Sequence, residues 1–198
     1  TPPTEIYTVS LHDALPIYSM GEEAIIYGFS YNSETRESLE DLISLQMAII
    51  DDITQSAPNR KHTIIIAFFD GTLSDAFNGM RDYASKSLYS QKDVLLYVDL
   101  TRIQGLKEGK VVFDQEQSPI TRYYAYTFSV QLKEKLDKKD IVYDAIANPT
   151  ELDRLLFFEK SFPTMIVGFK ENLGDPRDSV SMKQLGSILT SLIKNNSY

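Results

Sequence analysis

Three acids stand where chemistry would be easiest to build. Asp70 and Asp99 follow apolar runs with the composition of buried strands, and Asp75 lies five residues beyond Asp70. In an open α/β sheet the carboxyl ends of parallel strands converge on one edge, so these three could form an oxygen-rich cage. Such a cage favours Mg or Ca over zinc. The simpler duties of the same residues are local: Asp70-Gly71 makes a turn, and Asp99 caps the chain or pairs with Arg102. That reading is preferred, because satisfying backbone groups is the commoner work of aspartate.

Imidazole chemistry has little to draw on. The chain has two histidines, His12 and His62. His62 lies in the basic turn Asn59-Arg60-Lys61-His62, where a solvated side chain is expected, and a zinc site needs several converging ligands. With one usable imidazole and no Gly-x-Ser-x-Gly elbow, Ser/His/Asp catalysis has no support. The absence of cysteine excludes disulfides and thiolate metal sites. A possible recognition surface is Arg122 with Tyr123 and Tyr126, since arginine and aromatics are enriched at interface hot spots. Tyr124 and Phe128, one turn apart, are expected to face the core instead.

The elements that must position these residues alternate between strand and helix. Apolar runs at 24–29, 63–69, 94–98 and 164–169 read as strands buried on both faces, and 110–113 and 140–147 as weaker ones. Helices are expected over 39–53, with Leu42, Ile43, Met47, Ile50 and Ile53 on the inner face, and over 78–87, 118–139, 150–158 and 179–194. In the last, Val180, Leu185, Ile188, Leu189 and Leu192 form the buried stripe. The rhythm implies an α/β fold, a three-layer α/β/α sandwich on a mostly parallel mixed sheet.

Residues 1–17 stand apart. Ser10-Leu11-His12-Asp13-Ala14-Leu15-Pro16-Ile17 resembles one reading frame of a common sequencing adapter, so this segment is expected to be an artefact or unstructured. Residues 18–198 then form one domain, truncated at its N-terminus, and His12 carries no function. The 198-residue chain has a formal charge of −8; without Glu5 and Asp13, 26 acids face 20 bases, or −6. An acidic chain lacks the basic face a nucleic-acid binder needs. No apolar run reaches the roughly 18 residues of a membrane span.

The sequence from residue 24 to 194 resembles the M28 family of zinc-dependent aminopeptidases and carboxypeptidases. The likeness rests on Phe68-Phe69-Asp70-Gly71, the helix signature at 79–84, the strand at 97–103, and Phe162-Pro163-Thr164 through Asp175-Pro176-Arg177-Asp178-Ser179. The resemblance implies two zinc ions activating a water. Yet the positions matching the family's ligands and base hold Ser30, Asn32, Thr72 or Leu73, Thr101 and Gly174. Uncharged hydroxyl, amide and alkyl groups cannot balance two dications. The resemblance therefore implies a catalytically inactive domain without a cofactor, serving a binding or scaffolding role for a protein partner or within a larger membrane-associated protein, on the extracytoplasmic side as inactive relatives do. The alternative is an active metallopeptidase using the displaced acids Asp70, Asp75 and Asp99.

Overall fold

In the computed structural model the described residues are 14–18, 23–30, 40, 43–44, 46–48, 50–51, 62–69, 83, 90, 92–100, 108–114, 123–146, 163–170, 174 and 178–196. Eight strands and two complete helices are defined within them: β1 (Ala14–Tyr18), β2 (Ala24–Ser30), β3 (Thr63–Phe69), β4 (Val94–Asp99), β5 (Glu108–Asp114), α1 (Tyr123–Asp137), β6 (Tyr143–Ile146), β7 (Thr164–Lys170), β8 (Val180–Ser181) and α2 (Met182–Asn196). The expected alternation holds. Helical residues also occur between Glu40 and Asp51 and at Tyr83, whereas the segment expected as a helix over 150–158 lies outside the described residues.

The strands form one mixed sheet in the order β1-β3-β2-β4-β7-β5-β6, with β8 added alongside β5. β3, β2, β4 and β7 run parallel, β5 and β6 run the other way, and β1 is antiparallel to β3. The sheet is thus mostly parallel and mixed, with its central strands apolar throughout because both faces are covered.

Alternation along each strand divides the core in two. Ile25, Tyr27 and Phe29 of β2, Val98 of β4 and Val167 of β7 share one face with Phe128, Leu132 and Leu136 of α1 and Leu185, Leu189 and Leu192 of α2. Ile26, Ile65, Phe69 and Tyr97 share the other face with Tyr83. Lys135 Nζ donates to Ser191 Oγ at 2.6 Å and ties the two helices together.

Two helix faces differ from expectation. Ile43 and Met47 are 44% and 50% exposed while Gln46 is buried, so this helix is rotated and presents Gln46 and Ile50, one turn apart, toward the sheet. Periodicity alone could not choose between neighbouring stripes. Val180 belongs to β8, not to the last helix. The cause is a capping box: Ser181 Oγ accepts the Gln184 N–H at 3.3 Å, and Gln184 Oε1 accepts the Ser181 N–H at 2.9 Å, starting α2 after Ser181.

α1 ends in a Schellman arrangement. The Ile141 N–H reaches the Leu136 carbonyl and the Asp140 N–H the Asp137 carbonyl, at 3.0 and 3.1 Å. Asp140 takes a φ of 52° at the turn. Glycine is the residue with no steric cost there, so Asp140→Gly is expected to stabilise the protein by about 0.5–1 kcal/mol. A raised denaturation midpoint with an unchanged slope would verify this.

At the far side of the sheet Lys110 and Lys170 stand opposite each other on β5 and β7, an unfavourable like-charged pair. Asp144 of β6 accepts from both, Lys110 at 2.8 Å. The Lys110 hydrogen bond, followed by that of Lys170, holds the Asp144 carboxyl below its usual range against the opposing effect of burial. A depressed folded-state pKa gives stability present above the unfolded value and lost as pH falls through the folded one. Asp144→Asn is therefore expected to cost about 1 kcal/mol or less near neutrality, as partly exposed pairs do. The deficit should disappear in strong acid, below the ordinary aspartate pKa of about 3.9, in paired pH titrations of denaturation.

Candidate functional site

Strands β2, β3, β4 and β7 direct their C-terminal ends to one edge, the usual place for a site in an open α/β sheet. There β2 ends at Ser30, level with Phe69 of β3. β4 ends at Asp99, level with Gly28 of β2 and Ile166 of β7. Because β2 continues two residues beyond Gly28 and β7 continues to Lys170, the end of β4 is recessed between longer neighbours. The Leu100 N–H extends the ladder one step by donating to the Gly28 carbonyl at 2.8 Å.

Asp99 is fully buried at the floor of this notch. It shares a sheet face with Tyr97, two residues earlier. Above neighbouring Gly28 the space belongs to aromatic rings: Phe69 meets Tyr97 and Tyr83 edge-on, with centroids 6.4 and 5.6 Å apart. A carboxylate so placed is engaged within the protein and is not presented at a rim where substrate could approach.

Sequence reasoning missed one acid. Asp114, the last residue of β5, is also buried. Phe113 is level with Val167, so Asp114 falls one step on, level with Ile166 and on the face that carries Asp99. Strand spacing separates the two aspartates by about 10 Å at Cα. Nothing in the sequence marks Asp114, because the pairing that aligns it comes from distant β7.

Of the expected ligand positions, Ser30 ends β2 and Gly174 is an exposed bend residue. Asn32, Thr72, Leu73 and Thr101 lie outside the described residues, as do the displaced acids Asp70 and Asp75 and the arginine Arg122. Among the described residues no three His, Cys, Asp or Glu side chains gather as a metal site would require. Of the described residues among these candidates, Ser30 and Gly174 carry no charge and Asp99 is buried.

His62 is at the opposite end of the sheet, just before β3. It is not solvated as expected, its side chain being only 11% exposed with Nδ1 3.4 Å from a Glu23 carboxylate oxygen. Its ring meets the edge of Tyr124 at 5.8 Å, and Tyr124 meets Tyr123 at 5.5 Å. Burial, then the charge of Glu23, then Tyr123, raise the Tyr124 hydroxyl pKa. Tyr123 is 61% exposed and Tyr126 half-buried, so the aromatic group has an open side. Along the sheet it lies about five residues, roughly 17 Å, from the level of Asp99. The two candidate surfaces are separate.

No sequence-family profile matches the chain, and no curated protein matches it. Solved structures do. A zinc aminopeptidase from Bacillus subtilis superposes with a TM-score of 0.61 at 12% identity, over 92% of this chain and 48% of the other. A putative Zn-dependent exopeptidase from Bacteroides vulgatus gives 0.58 at 16% identity, over 88% and 67%. Glutaminyl cyclase from Porphyromonas gingivalis gives 0.59 at 12% identity, over 88% and 72%. The chain spans about half the length of the Bacillus enzyme. The fold is that of the M28-type zinc peptidases.

Proposed function

We propose that this chain is a catalytically silent domain of the zinc-peptidase fold with a binding or scaffolding role, part of a larger membrane-associated protein on the extracytoplasmic side. What supports the reading is the set of residue types found where the sequence resemblance puts the family's ligands and base. Positions matching the family's ligands and base hold Ser30, Asn32, Thr72, Leu73, Thr101 and Gly174, and the one described acid of the displaced set, Asp99, is buried beneath the edge. Two dications in a cleft need anionic and imidazole donors, which these residue types do not provide. Membrane association and compartment rest on the resemblance alone. Fold likeness does not transfer chemistry, since neighbours of this very shape include both an aminopeptidase and a glutaminyl cyclase.

Metal analysis of the purified protein, coupled to an aminopeptidase assay with and without added zinc, tests the proposal. Substoichiometric zinc and no turnover are expected. Stoichiometric metal together with chelator-sensitive hydrolysis would overturn it and favour the alternative, an active peptidase built on Asp70, Asp75 and Asp99. The charge-removing variants Asp70→Asn, Asp75→Asn and Asp99→Asn would then abolish that activity.

A further inference from the structure

At the end of the sheet away from Asp99, a carboxylate is held beside three aromatic rings. Glu23 precedes β2 and His62 precedes β3; the Thr63 N–H donates to the Glu23 carbonyl at 3.0 Å, and the Ala24 N–H donates to the Asp93 carbonyl at 2.7 Å. The backbone that carries the carboxylate is therefore fixed from both flanks. Its side chain is half-exposed, with Oε2 3.4 Å from His62 Nδ1. That distance is longer than a normal hydrogen bond, and the buried Nδ1 makes none. An imidazole balances a carboxylate only when it carries its second proton. In the neutral form it leaves Glu23 without a counter-charge among the described residues.

From this point the rings step outward. His62 meets Tyr124 at an interplanar angle of 86°, and Tyr124 meets Tyr123 at 84°. Planes set nearly at right angles bound a corner. Tyr124 is half-buried and Tyr123 exposed, so the corner opens to solvent. Glu23 lies close enough to the Tyr124 hydroxyl for its charge, second to burial, to raise the hydroxyl pKa. A tyrosine ring presents a negative face, and a carboxylate at the same opening adds a full negative charge. Both features repel an anion, and together they favour a cation over a neutral group of the same shape.

We propose that Glu23, Tyr123 and Tyr124 form a site for an alkylammonium group, the end of a lysine side chain or of a small quaternary amine, with His62 as the positioning residue behind the inner ring. This deepens the binding role proposed above and rests on it. The ring faces attract the cation and Glu23 supplies its counter-charge. Because main-chain bonds fix Glu23 and the helix carries both tyrosines, little ordering is required on binding.

The test titrates the isotope-labelled full chain with choline and with 3,3-dimethylbutan-1-ol, which has the same shape without the charge. Choline is expected to shift the Tyr123 and Tyr124 amide resonances saturably, and its N-methyl protons should move upfield as they meet a ring face. The alcohol should bind roughly three- to thirtyfold more weakly, since it forfeits both the cation–π and the carboxylate attraction. Tyr123→Ala and Glu23→Gln should each weaken choline binding by roughly two- to fivefold, whereas Tyr123→Phe should retain it, because the ring face and not the hydroxyl holds the cation. Neither position contributes a core side chain, and both substitutions leave the main-chain bonds of β2 in place.

Equal affinity for choline and the alcohol overturns the proposal. So does the absence of a saturable shift, or a Tyr123→Ala protein that binds choline as its parent does. Nα-acetyl-lysine methylamide, run in parallel, distinguishes the two sources of the ammonium group: tighter binding than choline points to a lysine of a partner, weaker binding to a free quaternary amine, and either supports the site. Zinc-dependent turnover would defeat the functional reading and leave the choline result intact, so the two failures are distinguishable.

Discussion

Phe128→Ala is expected to destabilise the protein by about 3–5 kcal/mol, the range for deleting a fully buried phenylalanine. Phe128 is completely inaccessible and occupies the middle of the stripe Ala125, Phe128, Leu132 and Leu136, which fastens α1 to the sheet. Its ring lies in the same cluster as Val98 and Val167 from the central strands and Leu189 from α2, so one truncation opens a void where three elements meet. In a domain of this size each kcal/mol moves the midpoint by roughly 2–4 °C, so a fall of about 10 °C is expected in a thermal melt. A loss under about 1 kcal/mol would mean that the site collapses freely and that α1 is not held by this ring.

Tyr123→Ala provides the contrast. The exposed ring touches Tyr124 at its edge, and its removal should leave stability within about 0.5 kcal/mol, as for surface sites away from special features. The two substitutions, five residues apart on one helix, therefore separate a side chain that holds the fold from one available to a partner.

How far the sequence could be read followed the range of the interactions involved. Runs such as Thr63–Phe69 and Thr164–Lys170 were legible because burial on both faces leaves a continuous apolar record in the strand itself. Phe128 was placed inward by its spacing from Tyr124, a purely helical argument. The rotation of the helix around Gln46 was not legible, because two stripes of similar hydropathy differ only in what the sheet offers them. Residues 14–17, expected to be an adapter artefact or unstructured, are placed within β1 alongside β3.

The candidate site divides in the same way. Asp99 was placed at this edge by strand polarity and Ser30 was singled out by the family resemblance; the sheet ends β4 and β2 at these two residues. Burial of Asp99 beneath longer neighbours depends on how far β2 and β7 extend, and the alignment of Asp114 depends on an antiparallel β5. His62 was misjudged because Glu23 and Tyr124, far apart in the chain, enclose it.

Gly28→Ala should bring a loss out of proportion to one methyl group, about 1–3 kcal/mol or more from overpacking. A Cβ at this position would stand 2.7 Å from Phe69 Cε2 and 2.8 Å from Tyr97 Cε2, and would collide outright with the Tyr97 hydroxyl oxygen. Neither ring can simply withdraw, because Phe69 is braced edge-on by Tyr83 and Tyr97 in a cluster that is buried throughout. Tyr97→Phe removes the nearest atom but leaves both ring carbons, so in a double-mutant cycle it should recover part of the loss and no more. Such coupling would establish that aromatic rings, packed against the backbone beside Asp99, fill the ground behind the sheet's C-terminal edge. Additive energies, or a Gly28→Ala protein as stable as its parent, would mean that the cluster yields, and that the room beside Asp99 is larger than a silent domain requires.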